Sequence, residues 1–249
     1  MFTLRHVPAP CTTAALRAAS LAAAGAAVLG LTACGAPPPP VAAHPNRARQ
    51  HAPAVRIHLC TPSMRPDPAG RCWHSAAPTA EATGMAGVLP QGVSATFRAV
   101  WDARRLYVLN VVRDPRGIVR SGLHHRAVWE NDAAELYLSG DNRAGITMGP
   151  HQTQLIVSAA QPQELLWVLP GRSAAGVRAT AAKTSAGYAV LVSYPWVDLG
   201  LRAGIGQVVG VDVAVDTYGR SSEHQAIAWG TAGVAEQNPS TWGQFVLVR

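Results

Sequence analysis

Lysine is nearly absent from this chain. Of 21 basic residues only Lys183 is a lysine; the rest are Arg, set against 14 acidic residues for a formal charge of +7. The arginines are scattered, and no nucleic-acid-binding motif accompanies them, so nucleic acid is not an expected partner. Arg richness still leaves affinity for phosphate or an acidic glycan open. A membrane-spanning run is missing too. The apolar stretch Leu21–Leu31 has 11 residues, against about 20 needed to cross a bilayer, so the chain does not read as a polytopic membrane protein. There is no nucleophile elbow, Gly-rich phosphate loop or zinc-protease motif, and Ser139-Gly140-Asp141 is only a turn. Catalysis therefore has no motif to rest on. Almost nothing shows a helical period. Aromatics make up only 6% of the chain, but seven of them are Trp.

What is present begins with a leader. Arg5 and Arg17 supply positive charge, and Leu21–Leu31 fits the apolar core of an export signal. The run ends in Leu31-Thr32-Ala33-Cys34, which resembles the lipobox of bacterial lipoproteins. That resemblance implies cleavage before Cys34, acylation of its thiol and an envelope location. Gly35 stands next instead of an Asp, which points to the outer membrane where one exists. A plain secretory signal with a chance Cys is the alternative. Without Arg5 and Arg17 the charge is 19 basic against 14 acidic residues, or +5. Residues 35–55 read as a tether. Pro37–Pro40 favour an extended polyproline conformation, and the Ala, His, Arg and Asn residues after them offer no periodic apolar face.

Four cysteines occur, Cys11, Cys34, Cys60 and Cys72. The first two belong to the leader and the lipobox. In an exported chain the remaining pair reads as a disulfide, closing a loop rich in Pro and Gly. A metal site using His58 and His74 is the other arrangement of these residues, although the spacing fits no zinc pattern.

From Ile57 onward the chain reads as short strands separated by turns. Ser94–Trp101 alternates apolar and polar residues, Asp102–Arg105 turns, and Leu106–Val112 returns. The later strands are Ala133–Leu138, Gln154–Ser158, Leu165–Leu169, Val177–Thr184, Tyr188–Tyr194, Gln207–Asp216, Ala226–Trp229 and Phe245–Val248. Ser185-Ala186-Gly187 reads as a hairpin turn. About ten short strands at this spacing predict an all-β fold, an antiparallel two-sheet β-sandwich of jelly-roll type spanning residues 56–249.

The chemistry concentrates at Trp129, Glu130, Asp132 and Glu135. A sugar ring offers an apolar CH face and needs polar partners for its hydroxyls, so an exposed Trp beside carboxylates suits it; a half-buried strand-edge Trp is the plainer alternative. If Glu130 and Asp132 shared a strand face they would lie about 7 Å apart, within the range of an inverting glycosidase pair. Any acidic pair two residues apart in a strand achieves that spacing, so it does not argue for hydrolysis. His124-His125 reads as a solvated loop pair.

The order of VWDARRLYVLNVVRDP, VWENDAAELYL, GYAVLVSYPW, GQVVGVDVAVD, IAWG and WGQFVLV resembles the family 9 carbohydrate-binding modules within the DOMON-like sandwiches. The resemblance implies a non-catalytic module that binds sugar between stacked tryptophans, with structural calcium as its cofactor and a poly- or oligosaccharide as its partner. Trp129 matches the first stacking position. The second belongs between Trp229 and Trp242, where GTAGVAEQNPST holds no aromatic residue, so Trp229 or Trp242 would have to supply it. The ligand-binding residues this implies are Trp129, Glu130, Asp132 and Trp229. An envelope scaffold that kept the fold and lost the sugar site is the competing reading.

Overall fold

The computed structural model describes residues 54–81, 83–84, 91–118, 128–143, 145, 147–163, 166–169, 172–173, 175–218, 224–230 and 238–249. The leader, Cys34, the tether up to residue 53 and His124-His125 lie outside them. No helix among the described residues is long and apolar enough to cross a membrane.

The elements are strands joined by turns and short 3-10 segments. In chain order they are β1 (Ala54–Leu59), β2 (Thr79–Glu81), β3 (Thr83–Gly84), β4 (Ser94–Trp101), β5 (Arg105–Arg113), β6 (Ala133–Ser139), β7 (Gln152–Ser158), β8 (Leu166–Val168), β9 (Arg178–Thr184), β10 (Gly187–Pro195), β11 (Val208–Tyr218), β12 (His224–Ala228) and β13 (Gly243–Val248). They form one hydrogen-bonded sheet in the order β8-β7-β6-β11-β13-β1-β4-β5-β10-β9.

Neither the purely antiparallel pairing nor the two separate sheets expected from the sequence are what the structure has. β1 runs parallel to both neighbours, pairing along Ala54–His58 with β13 and at His58 and Leu59 with β4. Alternation along a strand fixes which face is buried but carries no sign for direction, so this could not be read from the pattern. β1 splices a β9-β10-β5-β4 half to a β13-β11-β6-β7-β8 half. On the other side β2 pairs with β4, β3 pairs with β12, and β12 pairs with β11. The ladder thus nearly closes into a barrel, which leaves few open edges.

The period-two alternation is what builds the core. Phe97, Ala99 and Trp101 of β4, Val108 of β5, Leu136 and Leu138 of β6, Val190 and Val192 of β10, Val211 and Val213 of β11 and Phe245 of β13 share one buried cluster between the halves. At Gly187 a Cβ would stand 2.3 Å from the Val112 carbonyl oxygen, so close backbone approach requires glycine at the start of β10. Trp101 fastens the splice: its indole N–H lies 3.1 Å from the carbonyl oxygen of Ile57 and 2.9 Å from that of Val248, reaching β1 and β13 from β4.

Cys60 and Cys72 form the expected disulfide. This excludes their use as metal ligands, and His58 and His74 instead hydrogen-bond the backbone oxygens of Arg249 and Gly70. The loop also has a packing role the sequence did not signal. Cys72, Trp73 and Ala76 cover the outer face of the β4–β5–β10 region, against Val100, Tyr107, Leu109, Ala189 and Leu191. Arg98 donates to the Pro68 carbonyl and Thr180 to that of Met64, tying the loop down. Replacing both cysteines by Ser is expected to cost about 3 kcal/mol, and so to lower the melting temperature by about 6–12 °C in calorimetry. An unchanged melting temperature would mean that the Trp73 packing alone holds the loop.

Candidate functional site

Trp129 sits in a 3-10 turn, Val128–Glu130, that delivers the chain into β6. Glu130 and Asp132 are therefore not strand residues, and the in-strand spacing that would have made them an opposed acid pair does not arise. The Trp129 ring is half-buried and packs on a small cluster of Val128, Ala133 and Ile156. Asn131 clasps the turn, its side-chain amide donating to the Val128 carbonyl at 3.1 Å. Glu130 is half-exposed beside it.

Asp132 goes the other way. It is fully buried, and its Oδ1 accepts the backbone N–H of Tyr218 at 3.0 Å, so it fastens β11 to the turn. Trp229 is half-buried, like Trp129, with one side of its ring on the main core. Its ring lies 5.2 Å from Phe97 and 5.9 Å from Phe245. Trp242 is fully buried and tilts over Tyr137 at 5.7 Å. Of the expected ligand-binding residues, Trp129, Glu130 and Trp229 are all part-exposed, and Asp132 is taken inside.

A polar network on the strands behind Trp129 is one that sequence reasoning underweights. Leu136 and Leu138 point into the core, so Glu135 and Tyr137 share the opposite face of β6. On β7, Gln154 stands opposite Tyr137 and Ile156 opposite Glu135. The Tyr137 hydroxyl donates to Glu135 Oε2, and Gln154 Nε2 donates to the Tyr137 oxygen at 3.2 Å. Tyr137 is 0%, Glu135 3% and Gln154 8% exposed, with Trp242 tilted over the Tyr137 ring, so this network is buried, on the rung next to Ile156 that backs the Trp129 ring. Backbone register extends the same rung to Trp167 of β8, opposite Ile156. A Glu, a Tyr and a Gln at alternate positions of paired strands were the available signal, but it required knowing that β6 and β7 pair.

A buried carboxyl lies elsewhere in the fold. Glu81 is 5% exposed and neither oxygen finds a hydrogen-bond partner among the described residues. Burial, then the charge of Asp212, raises its pKa well above the ordinary 4.5. Burial likewise raises Tyr188, helped by Asp132 and Asp114. The sign for Glu81 is that of a proton bound on folding. Stability is fully present below the unfolded value and is lost as pH rises toward the raised folded value, at about 1.4 kcal/mol per pH unit in that window. Glu81→Gln is expected to flatten this slope and to gain in stability relative to the parent as pH rises, as read from urea midpoints at pH 5, 6 and 7. Parallel slopes for the two proteins would refute the assignment.

Calcium takes about six to eight oxygen ligands. Among the described residues no group of three or more His, Cys, Asp or Glu side chains could hold a metal ion.

Three comparisons bear on this geometry. Residues 68–249 match the model of a family described as carbohydrate family 9 binding domain-like. Two solved structures of a family 9 carbohydrate-binding module from Caldicellulosiruptor kristjanssonii share the fold. The complex with cellotriose is 19% identical, with a TM-score of 0.67, over 78% of this chain and 93% of that one. The complex with glucose is 20% identical, with a TM-score of 0.68, over 79% and 96%. No curated protein matches the chain.

Proposed function

The chain belongs to the carbohydrate family 9 binding domain-like family, and from that premise we propose that it is a non-catalytic saccharide-binding module whose platform is Trp129. The observation that carries this is the half-buried Trp129 ring, backed by Ile156 and set beside the Glu135–Tyr137–Gln154 network. The apolar face of a pyranose lies on the ring, and its hydroxyls reach Glu130 at the rim, while the buried network holds the β6–β7 face that backs the ring. Stacking supplies area while the Glu130 carboxylate sets orientation, the division of labour usual in small-ligand sites. Cellotriose and glucose, bound by the related module, are the first ligands to try.

Trp242 is committed to packing, and the half-buried Trp229 rests against Phe97 and Phe245, so the sugar is placed on the Trp129 ring alone. Binding is correspondingly expected to be weak. Calorimetric titration of the full chain with cellotriose, with and without calcium, tests this. Heat absent at millimolar sugar in both conditions would favour the competing reading, an envelope sandwich that recognises a protein.

The setting belongs to the same proposal. Export by the leader, acylation at Cys34 and the Pro-rich tether hold the module off an envelope membrane, the outer one where it exists. Cys34→Ser is expected to leave the precursor unprocessed by the lipoprotein peptidase, seen as a slower gel band and loss of radiolabelled palmitate. Normal processing of this variant would mean an ordinary secretory signal.

A further inference from the structure

One end of the nearly closed barrel is shut by a plug. The 3-10 segment Trp196–Leu199 follows β10, with Trp196 and Leu199 buried in the main core. The Trp196 backbone N–H donates to the Arg104 carbonyl in the β4–β5 turn, and its indole N–H to the Asp102 carbonyl at 2.9 Å. On the other side Leu199 lies against Gly140, just past β6. The chain then runs on to β11, and Gly206 donates its N–H to the Leu247 carbonyl of β13.

Among the described residues three large hydrophobic side chains stand exposed, Leu59 at 48%, Val197 at 76% and Ile205 at 61%. Scattered singly, such residues need no explanation, but all three belong to this end. Leu59 finishes β1 opposite Trp101, the last residue of β4. Val197 is the outward residue of the plug, between the inward Trp196 and Leu199. Ile205 comes just before Gly206.

The charge displayed beside them is positive. Arg104 lies in the β4–β5 turn, Arg178 starts β9, and Arg202 lies between the plug and β11. All three are exposed, and none takes part in an ion pair among the described residues. The carboxylates on the same turns, Asp102 and Asp198, are half-buried. Asp102 is also occupied, accepting from the hydroxyls of Thr61 and Tyr107 and from the backbone N–H of Arg104 and Arg105. Asp141, past the end of β6, is paired with Arg143 at 3.4 Å.

We propose that this end of the barrel docks on an anionic phospholipid surface, with Leu59, Val197 and Ile205 entering the interface and Arg104, Arg178 and Arg202 meeting the lipid phosphates. Shape and charge select this occupant. The six side chains stand on separate turns of one end, a spread that suits a plane rather than a small ligand. Binding at a membrane surface grows with buried apolar area and with attraction to anionic lipid, and this end supplies both. A second copy of the chain would bring the same cations face to face, at a cost. The Trp129 turn leads into Ala133, which pairs with Asp216, whereas β11 starts at Val208. Docking therefore leaves the Trp129 turn at the end away from the bilayer. The inference rests neither on the saccharide reading nor on acylation.

The test is hydrogen exchange of the full chain, read by mass spectrometry, with vesicles of phosphatidylcholine alone and with vesicles of phosphatidylcholine and phosphatidylglycerol in equal parts. The backbone amides of residues 196–206 are expected to exchange more slowly with the anionic vesicles than with the neutral ones, and raised salt is expected to remove the difference. At fixed lipid the protection is expected to fall about fivefold in Arg104→Gln and in Arg202→Gln, the contribution of one basic residue at an anionic surface. Val197→Ser combined with Ile205→Ser is expected to lower it about tenfold. The leader is the same in every variant, so these differences belong to the barrel end. Absence of protection, equal protection by both kinds of vesicle, or protection indifferent to both Arg variants would overturn the proposal. Protection that arises without vesicles and grows with protein concentration would also overturn it and assign the face to a second copy. Cellotriose binding is measured separately, so failure of either reading leaves the other standing.

Discussion

Trp129→Ala is expected to weaken cellotriose binding about 30-fold or more, the loss of about 2 kcal/mol that marks a dominant contact residue. The ring is a large, part-exposed apolar surface at the 3-10 turn before β6, and Ile156 supports it from behind. Removing it leaves the Glu135–Tyr137–Gln154 network in place, since that network is tied within β6 and β7. Trp129→Phe is expected to recover part of the loss, because a smaller ring still offers a stacking face. Calorimetry gives the affinities, and thermal unfolding followed by circular dichroism checks that the half-buried ring was not holding the fold. Unchanged affinity in Trp129→Ala would move the sugar site off this face altogether.

Trp101→Ala is expected to produce the largest loss of stability among the substitutions considered. Trp101 is 3% exposed within the main core, and truncating a buried Trp costs about 3–5 kcal/mol. The melting temperature should fall by about 6–20 °C. Part of that cost is polar, since the indole N–H serves the carbonyls of Ile57 and Val248 together. Trp101→Phe separates the two contributions. It keeps most of the apolar volume and removes the donor, with an expected cost of about 1–3 kcal/mol. Urea titration of the three proteins checks both figures, and a Phe variant as stable as the parent would show that the shared hydrogen bond carries nothing.

Much of the strand content was legible. Ser94–Trp101 and Leu106–Val112 were recognisable from alternation and from the Asp102 turn, and they appear as β4 and β5 with the second extended to Arg105–Arg113. The inward turn of Trp101 comes from the same period as that of Phe97. The disulfide was legible from the leader's resemblance to an export signal and from there being two cysteines left. The direction of β1 was hidden, because its partners lie at the far end of the chain and in β4. The disulfide loop's cover over Tyr107 and Leu109 was hidden because its apolar content is little more than Trp73 and Met64. At the site, Trp129 could be found because a lone Trp beside carboxylates is chemically conspicuous. Gln154 could not, because it joins Glu135 and Tyr137 only through the β6–β7 register. Asp132 looked like a ligand-facing carboxylate in the sequence, and only the fold reveals that its oxygen holds the backbone of Tyr218.

The parallel splice has a mechanical consequence. β1 and β13 run the same way over the pairs from Ala54 with Gln244 to His58 with Val248. Tension that draws the residues before Ala54 away from the end of β13 therefore slides one strand along the other. The rungs are loaded side by side and yield together, whereas an antiparallel hairpin pulled at its open end peels one rung at a time. Single-molecule stretching between the two ends of the folded region should show one high, abrupt rupture. Trp101, bonded to both strands, lies across the plane of slip.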